Sequence, residues 1–187
     1  MAHPQPGGQP PGGTTTMVKA CKPADVSDRG AMREAFGKFA TGITVLTAGG
    51  DHPHGMTANA FSSVSLDPPL VLVCVDRNAL MHDAISATET YAVSVLHGEQ
   101  EDVARHFSDK NRPGGWAQFE SVEWLPGDHT GAPLLGGSLA WVECELATVY
   151  DGGDHSIFIG KVLSIAGSGE QDALLYFGGC YHRLIGE

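Results

Sequence analysis

Short apolar runs separated by turn residues recur along most of the chain, which indicates a protein built mainly from β-strands. The runs at residues 43–48, 70–75 and 91–96 are rich in β-branched or alternating apolar side chains, so each predicts a strand. Two longer runs, residues 138–150 and 155–165, flank the turn sequence DGGD and predict a β-hairpin. We therefore expect a mainly β fold.

Three segments have helical spacing instead. The first begins after Ser27 or Asp28, either of which suits a helix N-cap, and Thr41-Gly42 is expected to end it. Its apolar residues are Met32, Ala35, Phe36 and Phe39. The other two helices are predicted at residues 79–87 and 99–107. Short helices thus interrupt the predicted strands.

One stretch, residues 55–75, has two unlike halves. The sequence is GMTANAFSSVSLDPPLVLVCV, so small hydroxyl-bearing residues precede an apolar strand. The first half makes a poor hydrophobic face. It suits a flat ligand with polar edges, because hydroxyl and amide groups there can bond the ring edge and a phosphate. A solvated strand with a Ser- and Thr-rich outer face explains the same pattern, and spacing alone does not choose between them.

Length and composition suggest one folded domain behind a tail. The first 26 residues are rich in Pro, Gly and Thr and have no hydrophobic period, so we expect a flexible tail over residues 1–26. The remaining residues, 27–187, are enough to form one domain with a full core.

The net charge of -11 at pH 7 argues against a nucleic-acid-binding protein, which needs a basic face. A phosphate-bearing ligand must therefore be held by local Arg, Lys or backbone N–H groups. No apolar run approaches the ~20 residues that cross a bilayer, and no secretory signal is recognisable, so we expect no membrane association and a cytoplasmic location.

No metal site is expected. The four cysteines have no C-x-x-C spacing, which argues against structural zinc, and we predict no disulfide. His52 and His54 lie in the turn of a hairpin predicted between the strand at residues 43–48 and the stretch at residues 55–75. They lack a third ligand at suitable spacing, so they are interpreted as solvated loop residues. The chain also has no G-x-S-x-G, Walker A or Rossmann G-x-G-x-x-G motif, so any dinucleotide is bound without a doubly wound fold.

The strings FATGITVLT, TANAFSSVSLDPPLVLVCVDR and GDHSIFIGKV resemble the flavin reductase-like, FMN-binding split-barrel family. Its members include the reductase components of two-component flavin-dependent monooxygenases. The resemblance extends over residues 36–184. It implies a mainly β fold with short helices, arranged as a split β-barrel of Greek-key type.

The resemblance also implies a set of cofactor-binding residues. They are Thr41, Gly42, Thr44, Met56, Thr57, Ala58, Asn59, Ala60, Ser62, Ser63, Val64, Cys74, Asp76, Arg77, Phe107, Lys110, His155 and Tyr181. Three of them have an alternative explanation that stays open: Arg77 pairs with a surface carboxylate, Lys110 belongs to a solvated loop, or Tyr181 only completes an edge strand.

His155 is the one catalytic residue that the resemblance implies, because in the family a histidine at this place faces the nicotinamide side of the flavin. It follows a turn and stands beside Asp154. An imidazole there can donate a hydrogen bond to a carbonyl or a reduced flavin. A structural histidine at a strand start is the alternative.

By resemblance, the expected activity is reduction of FAD or FMN by NADH, with NADPH also possible. Hydride transfer is chemistry that the two cofactors carry, so the protein mainly has to stack and orient their rings. A small barrel is filled by its own side chains. The flavin is thus expected in an outer groove that a second subunit completes, which implies a homodimer. Reduced flavin then diffuses to a partner monooxygenase.

Two other functions remain open. One is a non-catalytic split barrel that binds flavin or haem. The other is a self-sufficient flavoenzyme that uses bound FMN on an organic substrate.

Overall fold

The computed structural model describes residue 23 and residues 25–186. Most of the predicted tail, residues 1–26, lies outside this part of the chain. Within it, no helix has the length and apolar character needed to cross a bilayer.

Twelve strands, three α-helices and one 3₁₀ helix form the described chain. The helices are α1 (Arg29–Phe36), α2 (Leu80–Thr88), α3 (Glu101–Ser108) and the 3₁₀ helix (Gly115–Phe119). The strands are β1 (Thr41–Gly42), β2 (Thr44–Ala48), β3 (His54–Ala58), β4 (Phe61–Leu66), β5 (Pro69–Asp76), β6 (Thr90–Val95), β7 (Trp124–Pro126), β8 (Pro133–Leu135), β9 (Ala140–Gly152), β10 (His155–Gly167), β11 (Ala173–Phe177) and β12 (Cys180–Leu184).

Seven strands form one antiparallel sheet in the order β3-β2-β6-β9-β10-β5-β4. Strands β3 and β4 lie at its two opposite edges, yet only Asn59 and Ala60 separate them in the chain. Two residues span no more than ~10 Å, so the sheet must curl until its edges meet at this corner. This curled sheet confirms the expected split barrel.

The predicted hairpin is also confirmed. Strands β9 and β10 pair across the turn, with His155 opposite Gly152. The predicted strands at residues 43–48, 70–75 and 91–96 correspond to β2, β5 and β6. A further three-stranded sheet, β1-β11-β12, and the short pair β7-β8 complete the strand pairing of the described chain.

The first helix begins as predicted and ends earlier. The Asp28 side chain caps it, because Oδ1 accepts hydrogen bonds from the amides of Gly30 and Ala31 at 2.9 and 3.1 Å. The helix ends at Phe36, whereas the sequence predicted its end at Thr41-Gly42. Those two residues form β1 and pair with β11, so a long-range strand partner replaces the last helical turn.

Two hydrophobic clusters fill the interior. One lies where α2 packs on the large sheet and includes Met81, Ile85 and Phe158. The other lies beneath α3 and the 3₁₀ helix and includes Phe107 and Phe119, whose ring centroids are 5.4 Å apart. Helix α1 contributes no buried residue to either cluster.

Candidate functional site

A cavity of about 1040 Å³ opens between α1, β1 and the corner where β3 meets β4. We call it the first cavity. Seven of the predicted cofactor-binding residues line it: Thr41, Gly42, Thr44, Asn59, Ala60, Ser62 and Cys74. They come from four separate places in the fold, and the curling of the sheet brings them together.

Polar side chains hold the corner in shape. The Asn59 amide donates a hydrogen bond to the Thr41 hydroxyl at 3.1 Å, and the Thr44 hydroxyl donates to the Ala58 carbonyl at 2.8 Å. The Cys74 amide donates to the Ala60 carbonyl at 3.0 Å, which joins β5 to the same corner. The hydroxyl-rich stretch is thus two strand ends with a bend between them.

The first cavity combines a small-residue edge with an apolar wall. Phe61, Leu72 and Val95 line the wall, and their neighbours at the corner expose backbone and hydroxyl groups. A Cβ added to Gly42 would meet nothing within 4 Å, so the space beside it is open. This shape fits a flat aromatic ring whose edge forms hydrogen bonds. The residues present therefore suit a flavin.

A smaller cavity of about 550 Å³ adjoins the first, and the two share Asn59, Tyr176 and Gly179. We call it the second cavity. It is lined by the predicted residues Thr57, Ala58 and Tyr181. The Thr57 hydroxyl donates to the Ala104 carbonyl at 2.6 Å, which fixes helix α3 against strand β3.

His155 lines neither cavity, but strand pairing relates it to Cys74, which lines the first cavity. His155 faces Asp76 across the β10–β5 pair, two residues beyond Cys74 on β5. Directly opposed residues of antiparallel strands carry their side chains on the same face, as do alternate residues of one strand. The imidazole therefore stands on the face that Cys74 presents to the cavity. Its side chain is 42% exposed, so a ligand can reach it.

Asp154 holds the imidazole. Its Oδ1 is 2.7 Å from Nδ1 of His155, and its Oδ2 is 3.8 Å from a guanidinium nitrogen of Arg29. The hydrogen bond and the positive charge from His155, with a smaller contribution from Arg29, lower the pKa of the Asp154 carboxyl. An ionised carboxylate only accepts hydrogen bonds, so Nδ1 is the protonated nitrogen.

Asp76 lies close to both His155 and Lys110, and none of the three lines either cavity. The pKa of the Asp76 carboxyl is lowered, first by a hydrogen bond from the Asn78 amide and further by the positive charges of His155 and Lys110. Lys110 is therefore within electrostatic range of Asp76, although it lines neither cavity. The structure thus brings the loop that carries Lys110 close to the turn that precedes His155.

Arg77 pairs with a surface carboxylate, as the alternative explanation for this residue expected. It lies 3.2 Å from Asp151, and its Nε donates to the Gly153 carbonyl at 3.1 Å. Both partners belong to the β9–β10 turn, so Arg77 fastens the turn that presents His155. The cofactor-binding role expected of Arg77 stays a prediction.

Four further predicted residues line neither cavity, in addition to Asp76, Arg77, Lys110 and His155. Phe107 is fully buried in the core, and Met56 packs against the other core cluster. Ser63 and Val64 lie on the outer edge strand β4, where a bulge interrupts its pairing with β5. A short motif matches residues by order along the chain and does not show which face each one occupies.

Sequence reasoning missed some residues of the site. Arg33 and Phe36 of α1, with Tyr176 of β11, line the first cavity. Phe36 and Phe39, which share the apolar helical spacing, are 73% and 78% exposed. Aromatic spacing shows a shared helix face and does not show what covers it.

His54 was predicted to be a solvated loop residue, but in the structure it is half-buried. Its Nε2 lies 3.3 Å from a guanidinium nitrogen of Arg112. Burial, together with the positive charge of Arg112, lowers the pKa of His54 to about 4. The imidazole is neutral at physiological pH, and Arg112 also donates to the Gly55 carbonyl.

Comparison with known proteins identifies the family of the chain. The family model "Flavin reductase like domain" matches residues 36–184. An NADH-dependent FAD reductase of Streptomyces globisporus is 49% identical over 160 residues, which cover 86% of this chain and 88% of that protein.

Solved structures agree. An NADH:FAD oxidoreductase of Streptomyces globisporus superposes with a TM-score of 0.85 at 46% identity, covering 89% of this chain and 99% of that chain. BorF, the flavin reductase component of a bacterial two-component tryptophan halogenase, gives a TM-score of 0.83 at 48% identity, covering 86% of this chain and 100% of that chain. The chain belongs to the flavin reductase-like domain family.

Proposed function

We propose that this protein is an NADH-dependent flavin reductase that reduces FAD or FMN and releases the reduced flavin to a partner monooxygenase. The observation that carries the proposal is the first cavity, which gathers seven predicted flavin-binding residues. The activities named for the similar proteins of Streptomyces globisporus support NADH as the reductant.

In this proposal, the chain's own residues bind the flavin and NADH and orient their rings. A bound flavin accepts the hydride of NADH on its own ring system. The apolar wall at Leu72 and Val95 can support the flat ring, and the Thr41, Asn59 and Ser62 groups can hydrogen-bond its edge. His155 lies on the same face of the sheet as Cys74 and can donate from Nε2 toward a nicotinamide or flavin carbonyl when both ring nitrogens are protonated.

Exposed aromatic residues beside the cavity support a homodimer. Phe36 and Phe39 line the first cavity, yet they are mostly exposed. A second copy packed against this face would cover them and close the cavity over its ligand. The need for NADH places the proposed reaction in the cytoplasm.

The test is steady-state oxidation of NADH and NADPH with FAD, FMN and riboflavin in turn. We expect rapid NADH oxidation with at least one flavin, and a flavin that behaves as a freely exchanging substrate. Protein that retains flavin through gel filtration without oxidising NADH would instead be a non-catalytic flavin-binding protein. Light scattering during the same filtration measures the mass, and a monomer would contradict the proposed dimer.

A further inference from the structure

We propose that the second cavity binds the adenosine diphosphate end of a dinucleotide, with Arg105 as the residue that recognises it. The inference rests on the proposed function and extends it to the choice between dinucleotide and mononucleotide substrates. FAD and NADH both carry this group, so two ligands share the required chemistry.

The two cavities adjoin and share the lining residues Asn59, Tyr176 and Gly179. A ligand with its ring in the first cavity can therefore reach the second by passing over these three residues. The volume of about 550 Å³ lies within the range of ~300–1,000 Å³ typical of small-molecule sites. FMN ends at one phosphate, so the extra cavity is needed only by a longer ligand.

Arg105 is the one cation among the described residues that line the second cavity, where it pairs with Glu101. The whole chain carries a net charge of -11, so a phosphate group depends on local cations. The Nε and Nη2 groups of Arg105 bond to Glu101, whereas Nη1 has no hydrogen-bond partner among the residues that the structure describes. A guanidinium presents several donors in a plane, which suits phosphate oxygens.

Contacts within the protein hold the Arg105 guanidinium in place without a ligand. It lies 5.0 Å from the centre of the Tyr181 ring, and that ring packs edge-on against Tyr176 at 5.4 Å. A cation over an aromatic face is stabilised, and here the contact also limits the rotamers of Arg105. Ile43, Tyr176 and Gly179 offer apolar and backbone surface for an adenosine.

The first experiment compares dinucleotides with mononucleotides in the Arg105→Ala variant. We expect KM to rise about 10-fold or more for the dinucleotide that uses the cavity, the usual effect of losing a charge-assisted hydrogen bond. FAD against FMN tests the flavin, and NADH against reduced nicotinamide mononucleotide tests the reductant. A selective loss in either pair supports the inference and names the ligand, whereas equal losses for both members of each pair would overturn it.

Lys161→Ala is the matched control, because Lys161 is an exposed cation on β10 that lines neither cavity. It removes the same charge and is expected to leave all four KM values unchanged. Arg105 is itself largely exposed, so its replacement should not unfold the protein.

Calorimetric titration with ADP tests the cavity without turnover. Binding to the wild type that is lost in Arg105→Ala and kept in Lys161→Ala supports the inference. Wild-type protein that reduces flavin yet binds no ADP would overturn the inference alone. Protein that binds ADP but reduces no flavin would contradict the proposed function instead.

Discussion

The Asp154 carboxylate accepts a hydrogen bond from Nδ1 of His155 at 2.7 Å, and this contact decides which ring nitrogen can meet a ligand. Because Nδ1 donates to Asp154, Nε2 is the nitrogen that remains for the cavity. The contact joins neighbouring residues at the start of β10. Arg77 fastens the turn just before it, so the histidine has a fixed orientation.

Replacing His155 by Ala should lower kcat/KM for NADH by about 100-fold, the lower end of effects seen for residues that assist proton or hydrogen-bond chemistry. Asp154→Ala should have a smaller effect, and Asp154→Asn a smaller one still, because an amide oxygen can accept from Nδ1. Stopped-flow measurement of flavin reduction gives the rates. The exposed His52→Ala serves as control, and equal rates for His155→Ala and wild type would remove His155 from the mechanism.

Gly160, within the GDHSIFIGKV motif, is expected to tolerate no side chain. An added Cβ would lie 2.2 Å from the Tyr91 hydroxyl and 3.0 Å from Cβ of Cys144. Gly160→Ala should therefore reduce the free energy of unfolding by about 1–3 kcal/mol, as overpacked cores do. Urea denaturation measures the loss.

Tyr91→Phe tests the same contact from the other side. The buried Tyr91 hydroxyl has no hydrogen-bond partner among the described residues, so its removal should be neutral or stabilising. It should also recover part of the stability lost in Gly160→Ala, and the double-mutant cycle gives the coupling free energy. Strictly additive effects would contradict the proposed clash.

His54 should make the stability depend on pH between about 6.5 and about 4. The folded-state pKa of about 4 lies below the ordinary value of 6.5, so the unfolded chain binds the proton first as the pH falls. The contribution of His54 to stability is complete above pH 6.5 and is lost progressively as the pH falls toward 4. His54→Asn should flatten this part of the profile in urea titrations, while His52→Asn should leave it unchanged.

Gln118 is expected to be important for stability although it lies outside both cavities. It is fully buried, accepts a hydrogen bond from the Gly55 amide at 2.9 Å and donates to the carbonyls of Pro53 and Gly115, both at 2.9 Å. Gln118→Ala leaves these groups unpaired and should cost about 2 kcal/mol or more. Thermal unfolding measures the change, with the exposed Gln171→Ala as control, and equal melting temperatures would contradict it.

Periodicity along the chain was enough to predict the main strands and the β9–β10 hairpin. These elements depend on local alternation and turn residues, which one segment contains in full. The family resemblance then selected the hydroxyl-rich corner. Seven of the cofactor-binding residues that the resemblance implied line the first cavity.

Contacts between distant segments could not be predicted in this way. Glu143 is buried and accepts hydrogen bonds from Thr130 and Ser164, which lie 13 and 21 residues away. The meeting of β3 and β4 depends equally on the curvature of the whole sheet. Phe107 has the same local signal whether it faces the core or a ligand, so only the packing of α3 decides.

Helix α1 has a consequence for how the protein responds to its ligands. Its eight residues bury nothing in the chain's own core, and an isolated helix of this length is marginal in water. Arg33 and Phe36 line the first cavity, so binding of a ligand there and folding of α1 are coupled equilibria. Amide exchange along α1 would then slow as the cofactor concentration rises, and the exchange rate would report how much of the protein has bound its cofactor.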